Sequence, residues 1–146
     1  MEQLGNYKID VRFNKVELIK RITKIAKFSS QIEIQNKESI SFIKYILKRK
    51  KKKFIFLDPP YYQQGENLYL NFYTDNDHMK LAELLQNNEN SNWLLTYDNC
   101  DRIKELYAKS RKAYFPMTHT LQTKKRDKEI MMISNSLYLP KQLKIG

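Results

Sequence analysis

Apolar residues recur along this chain at two periods, one near 3.6 residues and one in short continuous runs, and the two alternate. From Val16 to Phe28 the residues Leu18, Ile19, Ile22, Ile25 and Ala26 repeat at helical spacing with Lys and Arg between them, which predicts an amphipathic helix. "IEIQ" at 32–35 predicts a short strand, and Ile40, Ile43, Ile46 and Leu47 mark a second helix running into the basic block Lys48–Lys53. "FIFLD" at 54–58 shows no polar alternation. Such a run fits a parallel strand covered on both faces, although periodicity alone does not separate it from a buried helix segment.

After a stretch rich in Gln, Asn and Tyr, a helix starts near Asn76 or Asp77 and turns Leu81, Leu84 and Leu85 inward. "WLLTYD" at 93–98 is a second apolar strand. Asp98 or Asn99 can cap the next helix, in which Ile103, Leu106 and Tyr107 share a face, and "AYFPMTHT" at 113–120 and "EIMMISN" follow as two strands. Pro116 assigns the first of these to a sheet edge, because proline has no N–H for a ladder, and "IMMI" reads as a central strand. The connection at 121–128 is too short for a helical crossover. The pattern therefore predicts an α/β domain whose mostly parallel sheet carries a carboxyl-terminal antiparallel hairpin.

Charge narrows the class of partner. Lys and Arg number 27 against 16 Asp and Glu, a formal charge of +11, which suits a polyanion. Nucleic acid is preferred to an anionic membrane surface, since no run of about 18 apolar residues is present to span a bilayer. The first ten residues have neither the charged start nor the apolar core of a signal peptide, so a cytoplasmic location is expected. One cysteine and two histidines exclude an internal disulfide and a His/Cys metal cluster within this sequence. Gly5, Gly65 and Gly146 are the only glycines, so no GxG nucleotide loop exists in it.

The candidate chemistry lies where "FIFLD" runs into Pro59, Pro60, Tyr61 and Tyr62. In an open α/β sheet, ligands collect beyond the carboxyl ends of the strands. The Asp58 carboxylate and the Pro59 carbonyl offer two acceptors for the two hydrogens of an exocyclic amino group, which orients the nitrogen and frees its lone pair for attack on a sulfonium methyl. The two prolines restrict the turn and contribute no competing N–H. Tyr61 presents a flat face for a base rotated out of a duplex, and Tyr62 does the same or packs.

These residues resemble the Dam-type adenine-N6 DNA methyltransferases, whose catalytic motif is Asp-Pro-Pro-Tyr after an apolar strand. "YKIDVRFNK" at 7–15, "FIFLDPPYY" at 54–62, "LYLNFYTDNDHMKLAELL" at 68–85, "WLLTYDN" at 93–99 and "KEIMMISN" at 128–135 look like successive segments of that family, in order. The resemblance implies a Rossmann-like class I methyltransferase sheet with strand order 3-2-1-4-5-7-6, S-adenosylmethionine as cofactor and double-stranded DNA as substrate. It also implies that residues 1–146 form a single incomplete domain, the carboxyl-terminal catalytic half. The glycine-rich cofactor loop and most of the target-recognition region would then come from a partner chain. A non-enzymatic DNA-binding remnant is the alternative reading.

By the same resemblance Asp58, Pro59, Pro60 and Tyr61 carry catalysis, and Asp58 and Glu38 contact the cofactor; a surface acid at a helix start is the plainer reading of Glu38. Arg12, Asn14 and Lys15 fall in the segment that leaves the recognition region and are expected on the DNA backbone, with a solvated helix entry as the alternative. Lys124, Lys125, Arg126 and Lys128, in the hairpin loop on the active-site side, are expected to contact phosphate, and Tyr62 to contact the base. The block Lys48–Lys53 sits before the catalytic strand, roughly 17 Å from Asp58, and reads as a solvated loop. Cys100 and His78 read as structural or surface residues.

Overall fold

The computed structural model describes residues 13–63, 65, 70, 72–118 and 126–138, with 116–118 and 126–128 described by their backbone. The chain divides into two units, 1–37 and 38–146. In the first, helix α1 (Lys15–Ala26) is entered through Asn14, whose side-chain oxygen accepts the Glu17 N–H at 3.1 Å. Glu17 also pairs with Arg21 one turn on, and Lys24 sits in the last turn, so both signs of charge suit the helix dipole. A 3-10 turn follows at Ser29–Gln31.

The strand expected at 32–35 does not form. Those residues have no strand partner, and Ile34 is 89% exposed. Alternating isoleucines fit a strand only when a neighbouring chain takes up their N–H and C=O groups.

The second unit holds the sheet. Helix α2 (Ser39–Lys48) follows the N-cap Glu38, and strand β1 (Ile55–Leu57) follows the basic block. Helix α3 (Asp75–Gln86) starts one residue before the expected Asn76, at a capping box: Thr74 and Asp77 each accept the other's backbone N–H. Strand β2 (Trp93–Asp98), helix α4 (Asp101–Leu106) and strands β3 (Arg111–Thr118) and β4 (Arg126–Ile133) complete the order. None of the described helices is long and apolar enough to cross a membrane.

The strands lie in the order β1-β2-β4-β3. Pro116 is on the edge strand and Ile130–Ile133 on a central one, as the sequence predicts. The sheet is only partly parallel: β1 with β2 is parallel, whereas β2 with β4 and β4 with β3 are antiparallel. Helices join β1 to β2 (α3) and β2 to β3 (α4), so these three strands run the same way, and β4, inserted between β2 and β3, runs against both.

Trp93, Leu95 and Tyr97 of β2 and Ile130 and Met132 of β4 are buried in one cluster with Leu81 and Leu85 of α3 and Ile103 of α4. Each such side chain contributes about 1.5–3 kcal/mol through its removal from water. Ile55 and Leu57 pack against this cluster, but Phe54 and Phe56 are 56% and 59% exposed. Strand β1 is therefore covered on one face, not two. It ends the sheet, so its outer edge has no strand partner among the described residues.

Candidate active site

Asp58 is the first residue past the carboxyl end of β1. The parallel register sets Leu57 beside Leu95, which brings Asp58 level with Thr96 on β2. The Thr96 hydroxyl donates to Asp58 Oδ1 at 2.7 Å. Thr96 thus fixes one carboxylate oxygen and leaves Oδ2 without a hydrogen-bond partner among the described residues.

The turn that follows is held from three other elements. Asp98, at the end of β2, accepts the backbone N–H of Tyr62 at 2.8 Å and of Gln63 at 3.0 Å, one on each oxygen. The Tyr61 hydroxyl donates to Glu129 Oε1 on β4. The Tyr62 hydroxyl donates to Asp75 Oδ1 at 3.0 Å, and Arg102 of α4 grips both oxygens of Asp75 at 2.8 and 2.9 Å. That fork brings the Asp75 pKa down to about 2, with the Arg102 hydrogen bonds as the largest cause. The same Asp75 carboxylate, now as acceptor of the Tyr62 phenol proton, pushes the Tyr62 pKa up.

Beneath the turn, His78 is 1% exposed and shares a 2.7 Å hydrogen bond through Nδ1 with the Tyr97 hydroxyl. Its ring lies 5.1 Å from that of Tyr62 and 5.3 Å from that of Tyr73. Burial lowers the His78 pKa despite the carboxylates of Asp98, Asp75 and Asp77. Burial raises that of the Cys100 thiol, so both residues are structural parts of the interior.

Two of the remaining expected site residues, Glu38 and Asn14, are helix caps. Glu38 caps α2, its oxygens accepting the N–H of Ile40 at 2.8 Å and of Ser41 at 2.7 Å, and a bond from the Ser41 side chain together with these two holds its pKa low. Asn14 caps α1 and Lys15 is its first residue, while Arg12 lies outside the described residues. Arg126 and Lys128 belong to β4 and not to the hairpin loop, because pairing with β3 extends to Thr118 opposite Arg126; Lys124 and Lys125 lie outside the described residues. In the block before β1, Lys53 donates to the Leu47 and Arg49 carbonyls at 2.9 and 2.6 Å and so closes the end of α2.

Asp98 does not cap the helix after it. Cys100 occupies that position without a side-chain bond, and Asp98 turns back to the loop after β1, which offers two N–H donors. Thr96 and Glu129 escaped the sequence reading. A signal existed for Thr96: polar residues at 96 and 98 within an apolar strand share one face at its carboxyl end. No local signal marked Glu129, Asp75 or Arg102.

Fold and site together define an α/β protein with a rigid, acid-bearing turn at the carboxyl end of a parallel strand. Residues 3–126 match the family of D12 class N6 adenine-specific DNA methyltransferases, and the chain belongs to that family. It is, by this resemblance, a site-specific DNA methyltransferase acting on adenine. No curated protein matches it.

Proposed function

We propose that this chain carries the catalytic site of a Rossmann-like class I methyltransferase that methylates adenine N6 in double-stranded DNA with S-adenosylmethionine. The observation that carries the reading is Asp58, held by Thr96 at the carboxyl end of β1, followed by two prolines and a turn fixed by Asp98. The strand order β1-β2-β4-β3 supports it, since it corresponds to the last four positions of the order that the family resemblance implies. A further strand on the open edge of β1 would extend the sheet toward the remaining positions.

The acceptor set fits an amino group. Asp58 Oδ2 and the Pro59 carbonyl, which stands in a turn without competing proline N–H groups, would each take one N6 hydrogen. That draws the nitrogen from its planar state and exposes its lone pair. Asp58 orients; its Oδ1 is already engaged by Thr96. Tyr61, and Tyr62 beside it, would offer ring faces to a base rotated out of the duplex.

When bound, S-adenosylmethionine supplies a methyl group activated by a positively charged sulfur. Asp58 and Glu38 are the residues of this chain assigned to hold it. The capping bonds fix the Glu38 rotamer, with the Ser39 hydroxyl adding a longer bond to Oε1 at 3.5 Å. Arg12, Asn14, Lys15, Lys124, Lys125, Arg126 and Lys128 are assigned to the DNA backbone.

The test is transfer of labelled methyl to unmethylated duplex DNA, with N6-methyladenine identified after digestion. Asp58→Ala in the enzyme reconstituted with the partner chain that supplies the cofactor loop should lower the rate by about a hundredfold or more while leaving DNA binding largely intact. Near-normal turnover by Asp58→Ala would overturn the assignment.

A further inference from the structure

Asp98 on β2 and Glu129 on β4 are direct cross-strand partners in the antiparallel register, so their side chains share one face of the sheet. Like charges in opposed positions destabilise a sheet, and at 8% exposure Glu129 has little water to screen it. An apolar residue at 129 would serve the fold better. The four residues that follow Glu129 along the strand, Ile130, Met131, Met132 and Ile133, are all apolar.

Both acids point to the same task. Asp98 holds the main chain of the turn through the Tyr62 and Gln63 N–H groups, and Glu129 holds the Tyr61 phenol oxygen. Tyr61 is therefore constrained at three points: Pro60 precedes it, the residue after it is fastened to Asp98, and the far end of its ring is fastened to a central strand. A ring fixed before its ligand arrives loses no rotamer entropy on binding and presents its face at one angle.

We propose that Glu129 is a positioning residue that sets the plane of Tyr61 for stacking of the target base. The inference rests on the adenine-methylation reading above. Glu129 acts through Tyr61 and touches neither the base nor the methyl donor.

The test combines this chain with the partner chain that supplies the cofactor loop and with unmethylated genomic DNA, and compares Glu129→Ala, Glu129→Gln, Tyr61→Phe and the double variant Tyr61→Phe/Glu129→Ala. Glu129→Ala should lower kcat by about ten- to a hundredfold, the scale of a small misplacement of a reacting group, with a smaller change in KM for DNA. Glu129→Gln, whose amide oxygen still accepts the phenol proton, should recover most of that loss. Tyr61→Phe breaks the same bond from the other end, and the double variant should be no worse than the poorer single one. Wild-type kcat in Glu129→Ala, equal losses in Ala and Gln, or additive losses in the double variant would each overturn the proposal. If Glu129→Ala fails to fold, Tyr61→Phe carries the test, and an unchanged kcat there overturns it equally. A wild-type chain that transfers no methyl to adenine even with its partner chain present would refute the parent reading and this inference with it; an active pair indifferent to Glu129→Ala refutes the inference alone.

Discussion

Asp98 holds Tyr62 by its main chain: Oδ1 of the carboxylate accepts the Tyr62 N–H at 2.8 Å, and Oδ2 takes that of the next residue, Gln63. The end of one strand thereby shapes the loop that leaves its parallel neighbour. Asp98→Ala should release both donors. Hydrogen bonds to a charged group contribute about 1.5–3 kcal/mol each, so a loss of that order should appear in urea unfolding, with methyl transfer reduced at least tenfold. Asp98→Asn keeps one acceptor oxygen and should fall between. Wild-type activity in Asp98→Ala would separate the loop geometry from the chemistry.

The Asp75–Arg102 fork should be visible in acid. The folded-state pKa of Asp75 is depressed from 3.8 to about 2, so its contribution to stability is present above 3.8 and lost as pH falls through about 2. Arg102→Gln removes the principal cause of the shift. The melting temperature of that variant should depend less steeply on pH between those two values than that of the wild type. Identical acid limbs would show that the fork contributes nothing to folding.

His78 sets a second pH dependence, nearer neutrality. Its folded-state pKa lies below 6.5 because the ring is buried, so the unfolded chain binds the proton more readily. Its contribution is therefore complete above 6.5 and is lost as pH falls from there toward the lowered value. His78→Gln should flatten the decline in stability as pH falls below 6.5. Because the His78 ring packs on Tyr62, the wild type should lose activity over the same range.

The two basic clusters should not be equivalent toward DNA. Neutralising Lys124, Lys125, Arg126 and Lys128 should lower the slope of log affinity against log salt by up to about 0.9 per lost phosphate contact. Neutralising Lys48–Lys53 should do less, since the Lys53 ammonium is already bonded to carbonyls at the end of α2. A larger effect from the second cluster would place the DNA at the other end of β1.

The edge of β1 should promote association, because Phe54 and Phe56 stand exposed beside an edge that has no strand partner among the described residues. Phe56→Lys puts a charge on that edge and should shift sedimentation toward the monomer at equal concentration. Unchanged association would move the contact to another surface.

Periodicity and short motifs determined much of this by themselves. Strand β2 falls at 93–98 as read, α1, α2 and α3 follow their apolar spacing to within two residues, and Pro116 and "IMMI" were assigned to edge and centre correctly. Asp58, the two prolines and the tyrosines were legible because their order along the chain is itself the motif. What only the tertiary structure decided is pairing. Whether 32–35 becomes a strand depends on a neighbour to take its hydrogen bonds, and whether Phe56 is covered depends on what lies beyond the sheet edge. Asp98 reads locally as a helix cap, yet the N–H groups of Tyr62 and Gln63 claim it across 36 and 35 residues. Glu129 reaches Tyr61 across 68 residues, and Arg102 reaches Asp75 across 27. Amphipathic spacing records which side of an element is dry; which acid meets which donor is a free energy between segments, set only once the sheet brings them together.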